Sequence, residues 1–341
     1  MRPNFHPRPV NGPFDDPCLF IPLSYENRAI MFDLGDIHAL SSRDILKVTH
    51  VFVTHTHMDH FAGFDRLLRL VLGREKELHL FGPKGFIKNV EGKLAGYSWN
   101  LVKNYHHPLS LHIVEVHPDH LSANRYLCRN EFTPRTPPER LPFDGFLLTE
   151  PAFSVSAIIL DHRIPCLAYS IKESFHINIR KEALSKLGLS TGPWLNDFKQ
   201  ALYQNRSPHS PFYIENGPDG SGQNYPLGEL ADQIAIITPG QKIVYIADTV
   251  YSAEMSNKII SFAENADQLF IEAAFLEKDK EIAAEKYHLT AYQAGRIAAM
   301  ANVKNFTLFH FSPRYSGQEA LFHQEARRAY QLATAYQSIV G

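Results

Sequence analysis

The stretch VTHVFVTHTHMDHFAGFDRLLRLVL, Val48 to Leu72, decides how this chain is read. It opens as an apolar, β-branched and aromatic run, Val48 to Thr54, and closes as an amphipathic helical pattern, Ala62 to Leu72. Between them lie His55, His57, Asp59 and His60. A strand end fixes the backbone while the following turn lets successive side chains converge, which alternation along a continuing strand would prevent. Neutral imidazoles with a carboxylate suit zinc and leave coordination positions open for water. The plain alternative is a histidine-rich surface turn, but an HxHxDH pattern arises by chance only about 0.002 times in a chain of this length.

Four side chains cannot close two metal sites, so further ligands are expected at other strand ends. His162 follows FSVSAIILD, Asp248 ends KIVYIAD, and His310 ends FTLFH. Any one of them alone would read as a cap or turn residue. Together with the central cluster they are candidate ligands. Asp33, in FDLGD, is placed to accept a hydrogen bond from a ligating imidazole. Other histidines read more plainly: His50 as a core residue or a support for a ligand, His106 and His107 as turn residues before Pro108, and His117 and His120 as part of a loop, HPDH.

Outward from this centre, short β-branched runs alternate with helical stretches, the pattern of a mixed α/β architecture. Strands are expected at Ala29–Asp33, Val48–Thr54, Glu77–Phe81, Leu109–Val116, Phe153–Leu160, Cys166–Ile171, Lys242–Ala247, Gln268–Glu272 and Phe306–His310. Helices are expected at Ala62–Leu72, Lys181–Leu187, Leu195–Tyr203, Ala253–Glu264, Ala291–Ala301 and Gln318–Leu332. Two stretches look inserted. Pro118–Pro142 carries PRTPPERLP, whose prolines remove backbone donors, and reads as a surface excursion. Lys172–Gly240 begins with a helical piece, 172–206, holding six Lys or Arg against three Asp or Glu, and passes into the turn-rich SPHSPFYIENGPDGSGQNYPLG.

Composition narrows the class. With 341 residues, 44% hydrophobic and 21% charged, the chain has material for a sizeable core and does not resemble a disordered or fibrous protein. No run approaches a membrane span, and the polar, proline-rich MRPNFHPRPVNGP carries no signal-like apolar stretch, so a cytoplasmic protein is expected. A formal charge of −2 gives no global pull toward nucleic acid, so any RNA partner needs a local basic surface. Cys18, Cys128 and Cys166 form no CxxC pair and read as buried apolar residues.

HTHMDH followed at distance by single His, Asp and His residues resembles the metallo-β-lactamase superfamily, and within it the ribonuclease Z (tRNA 3′-endonuclease) branch. The resemblance runs from about Ala29 to Gln324. It rests on FDLGD (Phe32–Asp36), HTHMDH (His55–His60), FGPKG (Phe81–Gly85), DHRIPCLAYSI (Asp161–Ile171), ADT (Ala247–Thr249), IEAAF (Ile271–Phe275), YHLT (Tyr287–Thr290) and HFSPRY (His310–Tyr315). It implies a single four-layer αββα sandwich spanning 1–341, with a flexible substrate-gripping arm at 172–206 whose Gly-Pro tip is GPWL. It also implies one zinc on His55, His57 and His162, another on Asp59, His60 and His310, and Asp248 between them. Glu272 and His288 would protonate the leaving oxygen, and Ser312 and Arg314 would meet the scissile phosphate. A homodimer is implied too. Met58 stands where the family pattern has glycine, IEAA replaces a HEAT-type motif, and the amino-terminal FLGTG strand with its substrate loop is not recognisable in MRPNFHPRPVNGPFDDP.

The expected activity is a zinc-dependent phosphodiesterase, an endoribonuclease acting near the 3′ end of precursor tRNA through a hydroxide activated between two zinc ions. Asp59 is the candidate acceptor of the nucleophile's proton and His288 the candidate acid. Manganese or iron would also suit these ligands. One alternative is a hydrolase of a small phosphodiester or ester on the same scaffold. Another is an RNA-binding module without catalysis, which the filled ligand positions argue against.

Overall fold

Alternation along the central strands separates two apolar faces. From the strands Arg28–Phe32 and Val48–Phe52, Ala29, Met31, Val48 and Val51 enter a cluster with Ile45, Phe64, Leu67, Leu68, Phe86 and Val90 of the helices Ser42–Lys47, Phe64–Val71 and Phe86–Ala95. Phe32 and Phe52 point the other way, where Phe32 stacks on Tyr169 at 5.5 Å and lies 5.8 Å from Tyr245. Tyr169 and Tyr245 belong to a second sheet, whose outer face buries Val244, Ile246, Leu269 and Ile271 against Met255, Ile259, Ile297 and Phe322. The layers therefore run helix, sheet, sheet, helix, the αββα order expected from the sequence. Each buried aliphatic or aromatic side chain contributes about 1.5–3 kcal/mol.

The computed structural model describes residues 5–24, 26–107, 109–134, 137–215 and 221–340. Among them the first sheet has eight strands in chain order: Arg8–Pro9, Leu19–Leu23, Arg28–Phe32, Val48–Phe52, Lys76–Pro83, Leu109–Val116, His120–Leu127 and Glu139–Pro142. The four from Arg28–Phe32 to Leu109–Val116 are parallel to one another. The second sheet has six, ordered Phe306–Phe309, Gln268–Glu272, Lys242–Ile246, Pro165–Glu173, Phe153–Asp161 and Phe146–Thr149, the first three parallel. All nine expected strands are present within a few residues. No helix among the described residues is long and apolar enough to cross a membrane.

The reading of Pro118–Pro142 as a surface excursion needs correction. His120–Leu127 is a full strand, antiparallel to Leu109–Val116, and it buries Leu121 and Tyr126. Glu139–Pro142 then closes the sheet as its exposed edge, where a missing backbone donor costs little. Pro118 sits in the turn before the strand, Pro134, Pro137 and Pro138 in the connection after it, and Pro142 at the end of the edge strand, so they punctuate the strand without interrupting it. His120 opens the strand instead of lying in a loop, its ring stacked on His117 at 4.3 Å. Arg135 and Thr136 of PRTPPERLP lie outside the described residues.

Residues 148–155 and 171–241 form a compact unit of their own. The expected arm helices are Lys181–Lys186 and Trp194–Tyr203. They share a core of Leu184, Leu189, Phe198, Phe212, Ile214, Leu230 and Ile234 with a third helix, Leu227–Ile234, and two strand pairs. The pairs are Phe175–Ile179 with Ala235–Pro239, and Pro211–Glu215 with Gly222–Pro226, both antiparallel. The stretch expected to be only turn-rich thus contributes a hairpin; its residues 216–220 lie outside the described part. Trp194 of GPWL packs near Phe198 and Phe212, and its indole donates to the Ser190 carbonyl at 3.0 Å.

Candidate metal centre

Parallel strands deliver their carboxyl ends to one edge, and there the sequence places its polar residues. Asp33 and His55 follow two strands of the first sheet, while Asp248, Glu272 and His310 stand at the ends of three parallel strands of the second. Asp59 and His60 ride the short helix Met58–Phe61, and His162 occupies the turn between Phe153–Asp161 and Pro165–Glu173. Asp33 and His310 hold φ of 58° and 64°, values that L residues adopt only when the surroundings over-determine them. Gly35 permits the approach of the ligand loop: a Cβ there would lie 2.3 Å from the Asp59 carbonyl oxygen. Met58 needs no such freedom. It begins the helix with its side chain 84% exposed, so the departure from glycine costs the site nothing.

Asp248 is buried at the middle of the cluster. Its Oδ2 lies 3.6 Å from His55 Nε2 and 3.5 Å from His162 Nε2, and its Oδ1 lies 3.6 Å from His60 Nε2 and 3.1 Å from His310 Nδ1. His57 Nδ1 is 2.9 Å from His55 Nε2, and Asp59 Oδ2 is 3.1 Å from His310 Nε2 and 3.5 Å from His60 Nε2. All seven side chains named from the sequence as ligands therefore converge. His60 Nε2, Asp248 Oδ1 and His310 Nδ1 are buried without an aligned hydrogen-bond partner among the described residues. Buried polar atoms left this way are costly, and three of them facing one another with imidazole and carboxylate donors fit a divalent cation.

The supports are also built in. Asp33 accepts from the Thr54 backbone at 2.7 Å, from the Thr54 hydroxyl at 2.9 Å, from His60 Nδ1 at 2.9 Å and from the Tyr245 hydroxyl at 3.0 Å. With Nδ1 so engaged, His60 presents Nε2 to the centre. His162 is oriented likewise, its Nδ1 donating to the Tyr287 carbonyl at 2.9 Å. Sequence reading found Asp33 but not Thr54, Tyr245 or the Tyr287 carbonyl, because a hydroxyl or backbone oxygen carries no spacing signal. Burial, and then the neighbouring His60, push the His55 pKa down to about 2. Burial opposes ionisation of Asp59, yet the hydrogen bond from His310 and the charge on His60 outweigh it and hold its carboxyl well below the usual range.

His288 stands beside this cluster with Nδ1 3.1 Å from Glu272 Oε2, while Glu272 Oε1 accepts the Thr249 backbone N–H at 2.9 Å. Burial disfavours the imidazolium, but the charge and hydrogen bond of Glu272 prevail and raise the His288 pKa to about 9. The segment is anchored just beyond, where Thr290 forms a capping box with Gln293 on the helix Ala291–Met300.

A cavity of about 300 Å³ opens on the centre, lined by Phe14, Asp16, Asp59, Lys286, His288 and Ser312 among others. Ser312 is where the sequence places it. Arg314 is exposed, its guanidinium carbon 6.0 Å above the Phe275 ring and 5.9 Å above Tyr315. Phe14, Asp15 and Asp16 were not anticipated. They reach the cavity because the Phe311 N–H donates to the Pro13 carbonyl at 2.7 Å and Phe14 meets Phe311 edge-on at 5.3 Å. His50 is buried but makes no part of the centre; it stacks on His79 at 4.8 Å.

No protein-family model matches the chain. The crystal structure of the metallo-β-lactamase fold protein YhfI from Bacillus subtilis superposes with a TM-score of 0.52 at 17% identity, covering 93% of this chain and 86% of that one. The architecture is the metallo-β-lactamase fold, and its histidine and aspartate cluster has the donor set to hold a divalent metal. Ribonuclease Z of Crocosphaera subtropica is 30% identical over 310 residues, 87% of this chain and 82% of that protein. Ribonuclease Z of Deinococcus radiodurans is 27% identical over 303 residues, 88% and 86% respectively. The chain belongs to the ribonuclease Z family, and it is a metal-dependent hydrolase.

Proposed function

We propose that this chain is a zinc-dependent endoribonuclease that cuts near the 3′ end of precursor tRNA, with two zinc ions per subunit. The observation that carries the reading is Asp248, whose two carboxylate oxygens face separate histidine pairs, His55 with His162 and His60 with His310. His55, His57 and His162 would hold one ion, Asp59, His60 and His310 the other, and Asp248 both. Bound there, two such ions supply Lewis acidity and a nucleophilic water at neutral pH.

The protein's own groups do the rest. Asp59, kept ionised, is the acceptor for the nucleophile's proton. His288, whose pKa Glu272 raises, gives its Nε2 proton to the departing ribose oxygen, while Glu272 holds Nδ1 and fixes the ring. Ser312 and Lys286 line the cavity where the scissile phosphate would sit, and Arg314 stands on the Phe275 and Tyr315 rings at its margin. The 172–206 helices would serve as the arm that grips the tRNA, within the larger 171–241 unit. A homodimer would let one subunit's arm serve the other's centre.

One observation favours a second reading, a hydrolase of a small phosphodiester: Phe14, Asp15 and Asp16 narrow the cavity and place carboxylates where a polyanion would enter. Cleavage of a precursor tRNA is compared with cleavage of bis(p-nitrophenyl) phosphate in zinc-replete buffer. The tRNA reading expects a product cut near the mature 3′ end. Turnover of the small diester alone would overturn it, and RNA binding with neither activity would overturn both readings.

A further inference from the structure

A second group of metal-ligating side chains lies outside the catalytic cluster. Strand register sets His50 beside His79, His79 beside His112, and His112 beside Arg125 across four neighbouring strands. The three rings form a ladder, His50 to His79 at 4.8 Å and His79 to His112 at 4.5 Å, with planes 13° and 20° apart. Glu77 lies two residues before His79, and Ser110 two before His112, so all four side chains share one face of the sheet. Ligand atoms of Glu77, His79 and His112 lie within 4.8 Å of one another.

We propose that Glu77, His79 and His112 form a separate binding site for a borderline transition-metal dication, Zn²⁺ or Ni²⁺, that ties the Lys76–Pro83 and Leu109–Val116 strands together. Two imidazoles and one carboxylate make a donor set for such ions and leave positions open for water. Burial, and after it the neighbouring cations, lower the pKa of both His79 and His112, so each ring is the neutral form that a metal needs. His50 closes the ladder on its buried side, its Nδ1 3.0 Å from the Thr49 hydroxyl, and contributes no ligand.

Arg125 competes with the ion. Its Nη2 donates to Glu77 Oε1 at 3.1 Å, and the Ser110 hydroxyl lies 3.4 Å from that same oxygen and 3.3 Å from His112 Nε2. An incoming dication displaces or shares Glu77 with the guanidinium, so the site is weaker than the catalytic cluster and is strengthened when Arg125 loses its charge.

The test uses the full chain with its catalytic cluster saturated by zinc, titrated further with Zn²⁺ or Ni²⁺ alone, counting metal per chain at each free concentration. Wild type takes up one weaker equivalent. In His112→Gln, Glu77→Gln and the double variant His79→Ala, His112→Ala its affinity falls more than about tenfold. In Arg125→Gln it rises. The half-buried His112 and exposed Glu77 positions keep the test available if the double variant does not fold. Hydrolysis of bis(p-nitrophenyl) phosphate by His112→Gln stays at the wild-type rate. Unchanged uptake of the weaker equivalent in both His112→Gln and Glu77→Gln would overturn the site, and so would equal affinity in Arg125→Gln and wild type.

Discussion

His50 and His55 lie on one strand and its extension, yet the fold puts them to opposite uses. His50 sits within the strand, sandwiched with Phe52 and His79 in a stack of flat rings, and behaves as an aromatic core residue. His55 sits past the last ladder bond, where the chain is free to turn, and its Nε2 faces Asp248. Both are buried, and in both burial disfavours the charged ring. Residue type and burial therefore do not make a metal ligand. Position does: past the strand ends side chains from many strands can turn toward one place, whereas on a sheet face only neighbours set side by side in register, as His79 and His112 are, come within reach of one another.

The largest effect that tests this contrast is expected at Asp248. Asp248→Ala should lower bound metal as well as rate, with turnover falling beyond the roughly 10⁴-fold that bounds the loss of a single general acid. His288→Ala separates chemistry from assembly: metal content by elemental analysis stays at the wild-type value while turnover on a phosphodiester drops about 10²- to 10⁴-fold. Full metal retention in the first variant, or unchanged turnover in the second, removes that residue from its assigned role.

A smaller effect belongs to the support beneath the ligands. Asp33→Asn keeps the shape but weakens its hold on His60 Nδ1, and metal affinity should fall about 10- to 100-fold by competition with a chelator. Equal affinity would mean that His60 is oriented by packing alone.

The last effect is on stability, not on metal content or rate, and falls at the strand-face histidine. His50 has its pKa lowered to about 3 by burial, then by His79 and Arg28, against an ordinary value near 6.5. The unfolded chain therefore takes up this proton first as pH falls. The associated stability is complete above about pH 6.5 and is lost progressively toward pH 3. His50→Phe keeps a flat ring in the stack, so its urea midpoint should decline less steeply over that window. Parallel declines would show that His50 titrates freely.

Much of the site was legible because its residues are rare types at strand ends. HTHMDH, His162, Asp248 and His310 each follow an apolar run, and every one reaches the centre. The nine expected strands were legible as apolar, β-branched or aromatic runs: several are buried almost throughout, and Phe153–Asp161 shows the alternation of a half-buried strand. His120–Leu127 was not, because the half-buried Ser122, the buried Asn124 and the exposed Arg125 dilute the run and prolines flank it. The strands of the 171–241 unit were hidden likewise: Pro211–Glu215 and Gly222–Pro226 begin or end on proline or glycine, and the first buries only alternate residues while the second buries none. The cavity wall of Phe14, Asp15 and Asp16 carried no motif at all.

Local order along the chain thus determined the nine apolar strands and which side chains offer metal-ligating atoms, since apolar periodicity and donor chemistry are properties of neighbouring residues. Tertiary structure alone decided which carboxylate oxygen faces which histidine, that Tyr245 and Thr54 hold Asp33, and that the amino-terminal loop walls the cavity. It alone also aligned His79 with His112 across two strands. These are long-range juxtapositions set by strand register and sheet packing, and a sequence holds no local energy that reports them.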